Sequence, residues 1–177
     1  MAEPLVKEIA RLAQVDLRVE PGSAEARRIE TALGVALPMV ADSTACARGR
    51  DVLWLGPDEW LIIGEPGSER EIEVLLREAM GDGFASVVDV SANRFCLELV
   101  GAGAREVLAS MIALDLHPRA FAVGRCSQTL LAKAPVILWH TDDAPTYRLL
   151  VRPSLASYAT GWLRDAIDGF AAERAAR

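Results

Sequence analysis

The most telling stretch of this chain for its architecture is VLWLGPDEWLII, residues 52–63. Its two apolar runs are typical of buried strands, and they flank Gly56-Pro57-Asp58, where proline presets the backbone for a bend. The segment therefore predicts a β-hairpin. Within it, Trp54 and Trp60 are either near-opposite partners across the two strands or pack on opposite faces.

Helical and strand patterns alternate irregularly on both sides of this hairpin. Apolar residues at helical spacing predict helices over residues 5–13, 24–33, 69–80, 104–114 and 153–170, with a frayed tail after Phe170. Alternating patterns predict further strands over residues 15–19, 86–90, 94–100, 126–132, 135–140 and 147–152. Helices follow pairs of strands here, which favours an α+β fold of antiparallel sheets with packed helices over a doubly wound α/β fold.

The length of 177 residues fits one domain with a substantial core. We expect a single compact domain over residues 1–177, with a division into two small lobes as the alternative. One lobe would comprise about residues 1–50 with part of the C-terminal region, and the other, the main core, about residues 51–170.

Composition excludes several classes of function. The net charge of -6 argues against nucleic-acid binding, which is driven by clustered Lys and Arg. No run approaches the roughly 20 apolar residues of a membrane span, and residues 1–13 lack the apolar stretch of a signal peptide. Cys46, Cys96 and Cys126 are odd in number, widely spaced and set among small or apolar residues, so each is expected to be buried. This cysteine usage favours a reducing cytoplasm.

No catalytic or metal-binding pattern stands out. The two histidines, His117 and His140, are too few for a zinc site of three or four ligands without CxxC or HExxH motifs. We expect His140 to be a solvated strand end. Ser91 has no neighbouring base in the sequence, and the turn at residues 101–103 lacks the third glycine of a dinucleotide fingerprint.

A dense segment, LHPRAFAVGRCSQTLLAKAPVIL at residues 116–138, is the best candidate for a surface that contacts a partner. Arginine is enriched at the cores of interfaces. The predicted partner interface consists of His117, Arg119, Phe121, Arg125 and, from a later strand, Arg148. The alternative is a solvated face with one internal salt bridge.

The four tryptophans, Trp54, Trp60, Trp139 and Trp162, lie in apolar segments and are expected in the core. In particular, Trp162 is assigned to the buried face of the last helix. One of the four could instead be an exposed anchor, because tryptophan is over-represented among binding hot spots.

Three segments together resemble the gamma subunit of heterotetrameric sarcosine oxidase. They are LWLGPDEWLI at residues 53–62, VVDVSANR at residues 87–94 and the dense segment at residues 116–138. The resemblance implies a non-catalytic subunit that covers a surface of a larger one. It also implies alpha- and beta-type partner subunits that carry FAD, FMN, NAD and tetrahydrofolate and oxidise sarcosine to glycine, with a small zinc-binding delta-type subunit.

A broader resemblance connects the chain to the folate-binding core of the glycine-cleavage aminomethyltransferase family. It is carried by DVS at residues 89–91, the strand that ends at Val100-Gly101, and YRLLV at residues 147–151. This resemblance implies an α+β core with ferredoxin-like units. The chain departs from the family at Arg152-Pro153-Ser154 and at residues 136–139, VILW, where the family has polar and acidic residues. A small folate-binding or one-carbon-transfer module is therefore the alternative function.

Overall fold

The computed structural model describes residues 4–9 and 11–176. Within them lie ten strands, four α-helices and one 3₁₀ turn over Pro153–Leu155. The strands are β1 Leu5–Ile9, β2 Ala13–Val19, β3 Thr44–Ala47, β4 Arg50–Gly56, β5 Glu59–Gly64, β6 Ala85–Asp89, β7 Phe95–Val100, β8 Cys126–Leu131, β9 Ala134–Asp142 and β10 Thr146–Val151. The helices are α1 Ala24–Leu33, α2 Glu69–Met80, α3 Ala104–Ala109 and α4 Ala156–Ala175. None of the helices in these residues has both the length and the apolar character needed to cross a membrane.

The strands form two five-stranded antiparallel sheets, one in the order β1-β7-β10-β9-β8 and one in the order β3-β4-β5-β2-β6. The predicted α+β class with antiparallel sheets is therefore confirmed. The chain divides into two compact units, residues 10–92 and residues 1–9 with 93–177. The lobe boundary near residue 50 that the sequence suggested lies inside the first of these units, because β3 and β4 form a hairpin across it.

The unit of residues 10–92 is organised by the predicted hairpin. Trp54 pairs with Trp60 across β4 and β5, so the two are opposite partners. Trp60 is fully buried, and its indole N–H donates to the carbonyl of Pro38 at 2.8 Å. The helix α1 is capped at both ends. The Ser23 side chain accepts a hydrogen bond from the Ala26 N–H, and Gly34 adopts a left-handed φ of 78° at the C-cap.

In the other unit, the sheet packs one face against α3, α4 and the segment that follows α3. Inward side chains from the sheet and α4 share one apolar core, which includes Leu97, Leu138, Leu149 and Leu163. The other sheet face carries the alternate residues of each strand, since successive side chains point to opposite sides.

Three predicted helices differ from the structure. Residues 5–9 form the strand β1 because they pair with β7 in register, and this pairing overrides a weak helical spacing. The helix α3 ends at Ala109 rather than near 114, because Ile112 bridges to Leu131 at the end of β8. The helix α4 continues to Ala175, and the Arg174 guanidinium lies 5.7 Å from the ring centre of Phe170 near its end.

Candidate partner interface

The loop between α3 and β8 contains a turn that is held by hydrogen bonds among its own polar groups. The carbonyl of His117 accepts hydrogen bonds from the N–H groups of Ala120 and Phe121, both at 2.8 Å. The Asp115 carboxylate accepts from the His117 N–H at 2.9 Å, and the His117 ring accepts from the Arg119 N–H at 3.2 Å. These bonds fix the backbone, while the side chains of His117 and Arg119 stay exposed.

Phe121 points inward, although the sequence placed it on the interface. Its side chain is 3% exposed and belongs to the apolar core. Its ring stacks on His140 with centroids 6.3 Å apart, and His140 stacks in turn on Tyr147 at 4.4 Å. Phe121 therefore anchors the loop to the sheet and presents no surface to a partner. The sequence missed this because the turn at His117 reverses the chain, and local patterns do not reveal which side of the turn faces the sheet.

His140 is buried as well, with 3% exposure, and the prediction of a solvated strand end is wrong. The reason is that β9 continues to Asp142, which leaves His140 inside the strand, opposite Tyr147. Its Nδ1 lies 3.1 Å from the carbonyl of Phe121. Because a carbonyl only accepts, this nitrogen carries its proton in that bond. The Nε2 atom of His140 is buried and has no hydrogen-bond partner within the described residues.

The two remaining predicted interface cations lie apart from the turn. Arg125 is partly buried just before β8. Arg148 is half-buried on the sheet face opposite to Tyr147, where its Nε donates to the Glu98 carboxylate at 3.1 Å. Its guanidinium also lies 5.3 Å from the ring centre of Trp139. The five predicted residues thus lie in four separate places: His117 and Arg119 on an exposed turn, Phe121 in a buried aromatic stack, Arg125 partly buried at the end of the loop, and Arg148 in an ion pair on the opposite sheet face.

A different pair of aromatic residues is exposed, on the outer side of α4. Tyr158 is 37% exposed and Trp162 is 44% exposed, which corrects the assignment of Trp162 to the core. The buried residues of α4 are Ala159, Thr160 and Leu163 instead. The helix turns Ala159 and Leu163 toward the core, and the rings of Tyr158 and Trp162 point outward.

These two rings form the walls of a shallow groove of about 440 Å³, which we call the α4 groove. The rings meet edge to face with centroids 6.2 Å apart and planes at 61°. Its lining residues are Ser157, Tyr158, Gly161, Trp162 and Asp165. The sequence signal that could have indicated the α4 groove is a tyrosine and a tryptophan four residues apart, with Gly161 and Asp165 beside them.

Ser91 and Asp89 are engaged in hydrogen bonds within the fold. Buried Ser91 accepts from the backbone N–H of Gln14 at 2.9 Å and donates to the Asp89 carboxylate at 2.6 Å. The hydrogen bonds from Ser91, with a smaller contribution from the charge of Arg11, lower the pKa of Asp89. Within the part of the chain that the structure describes, no group of three or more His, Cys, Asp or Glu side chains is placed to hold a metal ion.

The cysteines divide into two environments. Cys96 and Cys126 are buried as predicted, whereas Cys46 in the short strand β3 is exposed, contrary to the prediction. Burial raises the pKa of the Cys96 thiol to about 12, so this thiol is unreactive at neutral pH.

Comparison with known proteins identifies the family. The model of the sarcosine oxidase, gamma subunit family matches residues 19–169. The chain belongs to the sarcosine oxidase gamma subunit family. A relative described as sarcosine oxidase subunit gamma, from Corynebacterium sp. (strain P-1), is 42% identical over 169 residues, covering 95% of this chain and 82% of its own.

Solved structures agree with this family assignment and with its fold. A chain of the heterotetrameric sarcosine oxidase from Corynebacterium sp. U-96, in complex with pyrrole 2-carboxylate, matches with a TM-score of 0.88 at 38% identity, over 94% of this chain and 85% of that one. The aminomethyltransferase T of the Bartonella henselae glycine cleavage system matches with a TM-score of 0.70 at 13% identity, over 92% of this chain and 45% of that one. The second likeness shows a shared fold alone. The predicted resemblance to the gamma subunit family is therefore confirmed, and the predicted resemblance to the aminomethyltransferase core is confirmed as a likeness of fold.

The structure of this gamma-family chain also shows what occupies the positions where it departs from the aminomethyltransferase pattern. Residues 136–139 lie in β9 and are all buried, and they offer apolar side chains only. Arg152 follows β10 as an exposed cation. These positions hold no carboxylate that could orient a pterin.

Proposed function

We propose that this chain is the non-catalytic gamma-type subunit of a heterotetrameric sarcosine oxidase. In this function it stabilises the assembly that oxidatively demethylates sarcosine to glycine. The observation that carries the proposal is the likeness, over almost the whole chain, to a chain of a heterotetrameric sarcosine oxidase. The engagement of Ser91, Asp89 and His140 in internal packing and hydrogen bonds supports a structural role.

The proposal includes the partners and cofactors of the assembly. Larger alpha- and beta-type subunits would carry FAD, FMN, NAD and tetrahydrofolate, and a small delta-type subunit would bind zinc. The assembly would reside in the cytoplasm. The support is family membership and the burial of two of the three cysteines.

The predicted contacts with a larger subunit are retained as part of this proposal, except for Phe121. Exposed His117 and Arg119 would contact the partner directly, since the turn that carries them is fixed by backbone hydrogen bonds. Arg125 is partly buried at the end of the same loop and would contribute at the edge of this contact, whereas Arg148, on the other sheet face, would take part in a separate one. A preformed turn loses little conformational entropy on binding, which favours association.

A second candidate, a small folate-binding or one-carbon-transfer module, is favoured only by the fold shared with aminomethyltransferase T. Calorimetric titration of the isolated chain with tetrahydrofolate separates the two. We expect no saturable heat. A saturable signal in the micromolar range would favour the folate-binding module.

The principal test is co-expression of the larger subunits with and without this chain. We expect that omitting the chain lowers the yield or the thermal stability of the assembly and, with it, sarcosine-dependent oxygen consumption. We also expect the isolated chain to be colourless in an absorbance scan. An assembly equally stable and active without the chain, or a stoichiometric flavin band on the isolated chain after gel filtration, would refute the proposal.

A further inference from the structure

We infer that the α4 groove is the docking site for a cationic side chain, arginine or lysine, on an extended segment of a larger partner subunit. This inference rests on the proposed function, because it requires that a partner subunit exists. It names a surface other than the exposed turn of His117 and Arg119.

The chemistry of the groove selects a cation. The faces of Tyr158 and Trp162 carry the negative part of the aromatic quadrupole, which attracts ammonium and guanidinium groups. Asp165, one turn along the helix, supplies the one charged side chain among the residues that line the groove. A guanidinium placed against the indole could pair with this carboxylate at the same time.

The two rings are available because the fold does not use them. Neither Tyr158 nor Trp162 belongs to the apolar core of its unit, whereas Ala159 and Leu163 of the same helix do. Half-exposed aromatic rings side by side on one helix face are the residue types that dominate binding hot spots. Exposure of both rings is explained if a partner covers them.

Gly161 adds an independent indication of close approach. It lies inside a twenty-residue helix, where glycine is less favourable than alanine. A methyl group added at Gly161 would meet no atom within 4 Å, so the packing of the chain itself does not require glycine there. The missing side chain instead keeps the floor of the groove low, which lets the backbone of a partner segment lie against the helix.

Charge also distinguishes a larger partner from a second copy of this chain. Two copies joined through the groove by a two-fold axis would bring Asp165 of one chain toward Asp165 of the other. The chain as a whole carries a net charge of -6, which adds to that repulsion. A basic segment of a different subunit is the complementary occupant.

The test uses the complete assembly, with the affinity of each variant chain for the co-purified larger subunits measured by titration and by native mass spectrometry. We expect Trp162→Ala to weaken assembly about 30-fold and Trp162→Phe, which keeps an aromatic face, to retain most of the affinity. We expect Asp165→Asn to weaken binding and to reduce its dependence on salt.

Glycine substitutions keep the inference testable even if Trp162→Ala reduces folding. Gly161→Ala should raise the melting temperature of the isolated chain slightly, by about 2 °C, yet weaken assembly about tenfold by raising the groove floor. Gly169→Ala is the matched control: it lies on the same helix, has equally open surroundings and stands outside the groove, so it should leave assembly unchanged.

The outcomes separate this inference from the proposed function. If the wild-type chain does not assemble with the larger subunits, the proposed function fails. If the wild-type chain assembles and both Trp162→Ala and Gly161→Ala assemble with the same affinity, only the groove assignment is overturned. A concentration-dependent dimer of the isolated chain that Trp162→Ala abolishes would also overturn it, in favour of a second copy as occupant.

Discussion

Replacing Phe121 by alanine should destabilise the isolated chain strongly, whereas the same truncation at Trp162 should not. Phe121 is 3% exposed and packs on the His140 ring, so its removal leaves a cavity under the loop. Burying a phenylalanine removes about 150–200 Å² from water, which at about 25 cal/mol per Å² amounts to about 4–5 kcal/mol. Measured truncations of buried phenylalanine cost about 3–5 kcal/mol, cavity included. We therefore expect a loss of about 3–5 kcal/mol.

The comparison with Trp162 makes this prediction sharp. Trp162 is 44% exposed, so its truncation should cost about 1 kcal/mol or less. Urea denaturation followed by circular dichroism would give both values, and for a chain of this size 1 kcal/mol corresponds to about 2–4 °C in melting temperature. Phe121→Ala should thus melt roughly 6–20 °C lower. If Phe121→Ala melts like the wild type while Trp162→Ala loses several kcal/mol, the reasoning about which ring faces the core is refuted.

Three further outcomes follow from local chemistry. Ser23→Ala should lose about 1 kcal/mol of stability in denaturant titration because the α1 cap is removed, while Ser23→Asp should retain most of it. Asp89 should titrate below the usual aspartate pKa in NMR, and Ser91→Ala should raise its pKa toward the ordinary value. Because the folded-state pKa is lowered, the stabilisation from Asp89 is present above the unfolded-state pKa and is lost as the pH falls through the folded-state value. An unchanged Asp89 pKa in Ser91→Ala would contradict the assignment of the shift to Ser91. A thiol reagent should modify Cys46 of the native chain rapidly, and the two buried cysteines only after unfolding; three fast equivalents would contradict the burial pattern.

The elements that the sequence predicted to the residue are those determined by local interactions. Residues 24–33 and 69–80 are helices with the predicted bounds because a 3.6-residue spacing and a terminal glycine lie within one short segment, and Ser23 also caps the first of the two. The hairpin around Gly56-Pro57-Asp58 is equally local. By contrast, β1 depends on pairing with β7, whose partner residues are about 90 positions away in sequence, so its short helical spacing misled the prediction.

The candidate site was harder to predict, because a sequence pattern does not reveal which face of a helix or loop the rest of the fold covers. The helix α4 carries apolar residues around much of its circumference, and a periodic pattern of that kind does not rank its faces. Close packing of Ala159 and Leu163 determined the orientation and left Trp162 outside. Phe121 was missed for the converse reason, since its loop mixes charged and apolar residues without a period that would show that one ring anchors it.

The reversal of Phe121 and Trp162 has a consequence for how stability and assembly are divided in this chain. Phe121, His140 and Tyr147 form one buried stack, so damage to any of the three should unfold the loop and weaken assembly only indirectly. Trp162 and Gly161 contribute little to the folded chain, so damage there should act on assembly directly. Variants of the first kind should therefore recover wild-type affinity at a temperature low enough to keep them folded, and variants of the second kind should not. This difference in temperature dependence separates a surface that binds from a core that only supports the shape of the surface.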